Sequence, residues 1–328
     1  MDTRAVFPAA SRRAALYESF YLRAVSPSEP VGVWIRHTVR KAPGHAPRGS
    51  VWCTVFDARS GAPYTHKLTS DRLGVPEGGW IEVGPQASGG GVMGPREAVG
   101  RCGDARWSLR FHSGEPALEH LPSHLLYRTP LPRTKSTSPH PAALLDGTLE
   151  LGGREIALHS WPGMVGHNWG SEHAERWIWL HGLGFDGAPA AWLDLVLARV
   201  AIAGRMTGWL ASGALALEDR RYRLGGLRAR GISVEADASG SAVSLAGESG
   251  ARVEIYVQVP PHAAAGWRYS DPRGGDHDVV NCSVSALELD VALPGREGRR
   301  LRSTHGAAYE LGMRERDHGV PIAPFGDG

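Results

Sequence analysis

Short apolar runs closed by glycine or proline recur along the whole chain, and few are long enough to make a helix. The 43 glycines and 23 prolines lie between these runs rather than in one tail. Such punctuation suits many strands and turns, because both residues interrupt regular structure and glycine enters left-handed turns freely. "VGVWIRHTVR" (31–40) sets Val33, Ile35, His37 and Val39 on one side, with Trp34, Arg36, Thr38 and Arg40 on the other. "SVWCTVFDA" (50–58) alternates likewise after a Pro/Gly-rich turn, so the two are expected to pair as a hairpin. Further strands are expected at 80–84, 105–112, 144–151 with 154–159 about Gly152–Gly153, 176–185, 190–200, 205–217, 231–236, 242–247, 251–259 and 279–292. Helical periodicity supports only a short helix near 11–18 and a turn near 116–121. The spacing predicts an all-β protein of antiparallel sandwiches or barrels, and 328 residues exceed the usual single core, so two domains are expected. The segment 128–143, "RTPLPRTKSTSPHPAA", reads as a long connection across a barrel end, where lids form.

Lys and Arg total 36 against 34 Asp and Glu, a net charge of +2, so no overall field recruits nucleic acid or an anionic membrane. The local group Arg220, Arg221, Arg223, Arg228 and Arg230 is broken by Gly225 and Gly226 and reads as a solvated hairpin. The chain has neither a signal-like leader nor eighteen consecutive apolar residues, so no integral membrane segment and a cytoplasmic location are expected. Cys53, Cys102 and Cys282 are too scattered for a disulfide framework or a zinc cluster and read as small buried apolar residues. No Gly-rich fingerprint opens a helix, and "ASGGGVMG" (87–94) lacks the lysine of a phosphate loop, so it reads as a loop or bulged strand.

"GMVGHNWGSEHAERWIWLHG" (163–182) is the densest chemical stretch. As a strand, 176–185 projects Trp177, Trp179 and His181 to one face and Ile178 and Leu180 to the other. Those indoles are either core or the wall of a cavity for a flat unsaturated ligand or a developing carbocation. The next strand groups Trp192, Asp194 and Val196, and burial among apolar neighbours would raise the Asp194 pKa, the state a general acid needs. In the expected turn "GHNWGSEH", His167, Glu172 and His173 lack metal-ligand spacing, so no metal is expected, and Ser171 lacks a nucleophile-elbow context. His167 and Asn168 remain as polar groups at a pocket rim or as the pins of a structural corner.

"ESFYLRAVSPSEPVGVWIRHTVR", "VWCTVFD", "SPHPAALLDGTLELGGREIAL" and above all "WPGMVGHNWGSEHAERWIW" resemble the carotenoid 1,2-hydratase (hydroxyneurosporene synthase)/AttH-like superfamily, related to tocopherol cyclases and lipocalin-like Diels–Alderases, over about 17–215. The resemblance implies two consecutive lipocalin-like β-domains, 1–172 and 173–328, with an apolar ligand pocket in a β-barrel and the His167–Trp169 turn at its edge. It implies cofactor-independent hydration, cyclisation or pericyclic chemistry on an isoprenoid or polyene. Asp194, Glu172 or His167 would be the catalytic group, with Asn168, Trp169, Trp177, Trp179, His181 and Trp192 around the substrate. A non-catalytic carrier of a lipid or terpenoid would use the same cavity. Members often carry an acidic residue where this chain has Gly166, so no carboxylate at that point can donate a proton here.

Overall fold

The computed structural model describes residues 2–202, 204–226, 229–247, 250–315 and 318–326. Two large antiparallel sheets account for most of them, one within 16–170 and one within 176–313. The same connectivity occurs twice. In each sheet the first strand lies between the second and the last, and the last two strands form a long bent hairpin: Thr134–Leu151 with Arg154–Gly170, and Asp276–Ala292 with Arg299–Met313. Register shifts between Thr137 and His140, His140 and Ala143, and Leu145 and Gly147 bend the first hairpin, and shifts between Cys282 and Leu287 bend the second. Curvature of this kind rolls each sheet around its own apolar filling, Phe20, Leu22, Ile35, Val51 and Leu109 in the first and Ile178, Leu180, Leu195, Leu215 and Leu289 in the second. The expected all-β, barrel-like architecture is therefore observed.

The hairpin expected from alternation is present as Val31–Lys41 against Arg48–Asp57, with Val31 opposite Asp57 and Arg40 opposite Arg48. The glycine-rich 87–94 contributes the strand Gly90–Met93, and all three cysteines are free and buried. Three expectations need correction. Residues 11–18 form no helix; a 3-10 turn at Phe7–Ala9 leads into the strand Leu16–Val25, which is buried on both faces. The stretch 134–143 is not a connection but the start of the strand Thr134–Leu151, where Pro139 and Pro141 are tolerated because the register is broken there. The basic hairpin is not free in solvent: Arg221 binds Glu115 at 2.5 Å and Arg223 donates to the His120 carbonyl at 2.7 Å, while Arg228 lies outside the described residues. Among the described residues no helix is long and apolar enough to cross a membrane.

Candidate active site between the two sheets

The strand Leu16–Val25 has two differently used faces. Leu16, Phe20, Leu22 and Ala24 enter the first barrel's core, leaving Tyr17, Ser19, Tyr21 and Arg23 turned towards the second sheet. Directly opposed residues in an antiparallel ladder share a face. Met164, Gly166 and Asn168 stand opposite Arg23, Tyr21 and Ser19, whereas His167 and Trp169 stand opposite Phe20 and Glu18. The segment expected as a turn is thus the end of the strand Arg154–Gly170, and its side chains split between a barrel interior and the space between the sheets.

From the other side, the strand Arg176–Gly182 presents Trp177, Trp179 and His181, with His181 and Trp179 opposite Asp194 and Val196. The aromatic face is divided: Trp179 and His181 meet Tyr21 and Arg23 of the first sheet, whereas Trp177 packs on His173, Tyr269 and His277, apart from them, and Ile178 and Leu180 fill the second barrel. Trp179 packs with Tyr21, Met164 and Ala308, its ring edge-on to Tyr21 at 5.5 Å. Arg23 crosses the junction, donating to the carbonyls of Gly306 (3.0 Å) and Ser283 (2.8 Å) and to His181 Nδ1 (3.0 Å). An imidazole that accepts at Nδ1 carries its proton on Nε2, which donates to the Pro141 carbonyl at 2.8 Å. Burial, and then the Arg23 charge, push His181 down to about 4, so it is neutral near pH 7.

Asp194 is the polar centre of this face. Ser138 Oγ donates to Oδ2 at 2.5 Å, Trp179 Nε1 donates to Oδ1 at 3.0 Å, and His120 Nε2 lies 3.4 Å from Oδ2. Burial alone would raise its pKa, but His120 and the hydroxyl outweigh burial and hold the carboxyl down at about 2. The expected protonated acid is therefore corrected to a buried carboxylate. On the strands of the two sheets, Arg23 Nε, Asn168 Oδ1, Asn281 Oδ1 and Ser283 Oγ are buried without partners among the described residues. Buried polar groups are ordinarily paired, so this set is what a ligand or ordered water would satisfy.

The other expected site residues separate. His167 faces the first barrel, where it meets Glu18 Oε1 at 2.8 Å and is stacked between Phe20 and Trp169 at 4.1 and 4.5 Å. Glu18 also accepts the amides of Val6 and Phe7, so this pair pins the N-terminal segment. Glu172 pairs with Arg133 and Arg314, away from Asp194's partners. Trp192 is fully buried against Leu118, Leu183 and Ala214 under the Arg221 guanidinium. Sequence reasoning did not find Arg23, His120 or Ser138; the odd positions of "LYESFYLRAV" were the available signal.

Gly166 has a steric reason. A Cβ built there would penetrate the Tyr21 ring, which occupies the space that a side chain at this position would need. Gly166→Ala is expected to lower stability by about 1–3 kcal/mol, as overpacking does, and Tyr21→Ala in the same chain should recover part of that loss. Urea titrations of the two single variants and the double variant test this; an unchanged midpoint for Gly166→Ala would contradict the contact.

A cleft of about 470 Å³ opens beside the start of the Trp177 strand, lined by Arg176, Asp237, Ser239, Met313 and His318.

No protein-family model matches the chain. Uncharacterized protein Rv0493c of Mycobacterium tuberculosis (strain ATCC 25618 / H37Rv) is 26% identical over 323 residues, covering 95% of this chain and 91% of its own. Among solved structures, CghA in complex with Sch210972 superposes with a TM-score of 0.58 at 13% identity, over 91% of this chain and 88% of CghA. An AttH-like protein of Nitrosomonas europaea gives 0.53 at 13% identity, over 95% and 97%. Kievitone hydratase of Nectria haematococca gives 0.50 at 8% identity, over 97% and 93%. The chain shares the fold of these three structures.

Proposed function

We propose that the protein is a cofactor-independent enzyme that cyclises an apolar isoprenoid or polyene between its two sheets. The observation that carries the reading is a fully buried carboxylate, Asp194, set beside the Trp179 and Tyr21 rings and an apolar patch of Met164 and Ala308. A carboxylate held near 2 is an acceptor at neutral pH. It therefore does not start a hydration by donating a proton; in a cyclisation started by a proton from water, it stabilises the positive charge that forms on the folding carbon skeleton and takes up the one proton released when the ring product forms. The aromatic faces add to that stabilisation. In a pericyclic closure the walls act by folding the substrate into its reactive shape, with Asn168 available to hydrogen-bond a carbonyl. Further support comes from fold neighbours whose names include a hydratase and a protein bound to a small molecule.

The test begins with mass spectrometry of the small molecules that copurify with the protein, followed by incubation of each with fresh enzyme. Conversion is the expected result, with Asp194→Asn slower by about 10²–10⁴-fold, the usual contribution of a positioned acid or base. Release of the molecule unchanged by both proteins would instead identify a carrier.

A further inference from the structure

A second cluster of chemically capable groups lies outside the Asp194 network. The strands Ala265–Ser270 and Asp276–Ala292 pair so that Ser270 faces Asp276 and Tyr269 faces His277, and the intervening turn returns Asp271 to the His277 side chain. His173, from the connection between the two sheets, reaches the same point. Its backbone amide and Nδ1 meet Asp271 Oδ1 at 2.9 and 2.6 Å, and His277 Nδ1 lies 3.7 Å from Oδ2. One ligand-capable atom from each of the three side chains falls within 4.8 Å of the others.

Two features set this apart from an ordinary buried ion pair. His277 is 0% exposed, yet neither of its ring nitrogens has a hydrogen-bond partner among the described residues, and His173 Nε2 has none either. Leaving such groups unsatisfied costs about 1–3 kcal/mol each; with His173 Nδ1 donating to Asp271, His173 Nε2 and one nitrogen of His277 present two buried lone pairs that call for something to take them. The ring planes are also fixed: Tyr17 stacks on His173 at 3.9 Å, and Trp177 lies 5.2 Å from His277. Neutral imidazole and ionised carboxylate are the forms that ligate. Arg314 is the competing cation, 3.5 Å from Asp271, but Glu175 at 2.5 Å and Glu172 at 3.5 Å draw it outward.

The geometry points to a divalent transition-metal site of the zinc class held by His173, Asp271 and His277. Two imidazoles and a carboxylate are a borderline-hard donor set, and three protein ligands leave a coordination position open for water or a small ligand. Metal–ligand bonds of about 2.0–2.2 Å need only small side-chain rotations from the present separations. The spacing that argued against metal at 167–173 was local; Asp271 and His277 arrive from the far end of the chain.

Titration of chelator-treated full-length protein with Co2+, read by its visible ligand-field absorption, should saturate at one ion per chain and be reversed by Zn2+. Asp271→Asn and His173→Gln should each weaken binding by about tenfold or more, with circular dichroism checking that they fold, and His305→Ala should bind as the parent does. Should either variant fail to fold, X-ray absorption of the zinc-loaded parent decides, with two imidazole nitrogens expected beside oxygen ligands. No saturable binding by the parent, unaltered binding by both folded variants, or a shell with fewer than two imidazoles would overturn the site.

Discussion

Acidification from pH 6.5 towards 4 is expected to destabilise the protein steeply, and His37→Leu is expected to blunt that loss. His37 is fully buried in the first barrel, with neither ring nitrogen partnered among the described residues, and burial drives its pKa down to about 3. His181 is held at about 4 by burial and Arg23. The unfolded chain protonates such groups near 6.5, so between that pH and the folded values the unfolded state binds more protons and stability falls with pH. Each histidine contributes about 1.4 kcal/mol per pH unit over its window. Asp194 acts in the same direction lower down: its ionised form stabilises the fold above the ordinary carboxylate range, and that stabilisation is lost as pH falls towards about 2. A leucine side chain in place of the imidazole would keep most of the volume without a group to protonate. At pH 7.5 the variant should match or slightly exceed the parent, and at pH 5 it should be more stable by about 2 kcal/mol. Superimposable acid-denaturation curves would contradict this account.

Trp179→Ala is expected to cost about 3–5 kcal/mol, the range for truncating a buried tryptophan. The indole is 5% exposed, packs on Tyr21 and Met164, and supplies one of the hydrogen bonds to Asp194. Trp179→Phe separates the parts: it keeps much of the packing and removes only the N–H, at about 1–3 kcal/mol. Its second effect falls on Asp194, which loses a donor to its charged form, so the carboxyl pKa should rise. Urea midpoints and the Asp194 carbon resonance followed by NMR against pH check both. Two variants of equal stability with an unmoved resonance would show that the indole does not support the carboxylate.

Strands with one apolar and one polar face were readable by eye in the sequence, as the Val31–Lys41 hairpin illustrates. The strand Leu16–Val25 was missed: Glu18 interrupts its apolar face and Tyr17 and Tyr21 its polar one, and the helix expected near 11–18 overlaps its start. The shared face of Trp177, Trp179 and His181 followed from period-two alternation alone, but alternation does not say which face meets which sheet. The environment of Asp194 was misjudged for a related reason. Its neighbours in sequence are apolar and imply a raised pKa, while the groups that lower it, His120 and Ser138, come from the first sheet and carry no local signature. Likewise His167 and Asn168 are adjacent in sequence but point into different compartments, a consequence of strand rather than turn geometry.

The central claim is that an apolar substrate lies between the sheets rather than inside either barrel. A polyene bearing a photoactivatable diazirine, irradiated with the protein and mapped by peptide mass spectrometry, tests that location directly. Cross-links at Tyr21, Met164, Trp179 and Ala308 are predicted, suppressed by an excess of the copurifying molecule. Cross-links at Phe20, Ile35 and Val51 in the first barrel, or only at the cleft of Arg176, Ser239 and His318, would contradict it.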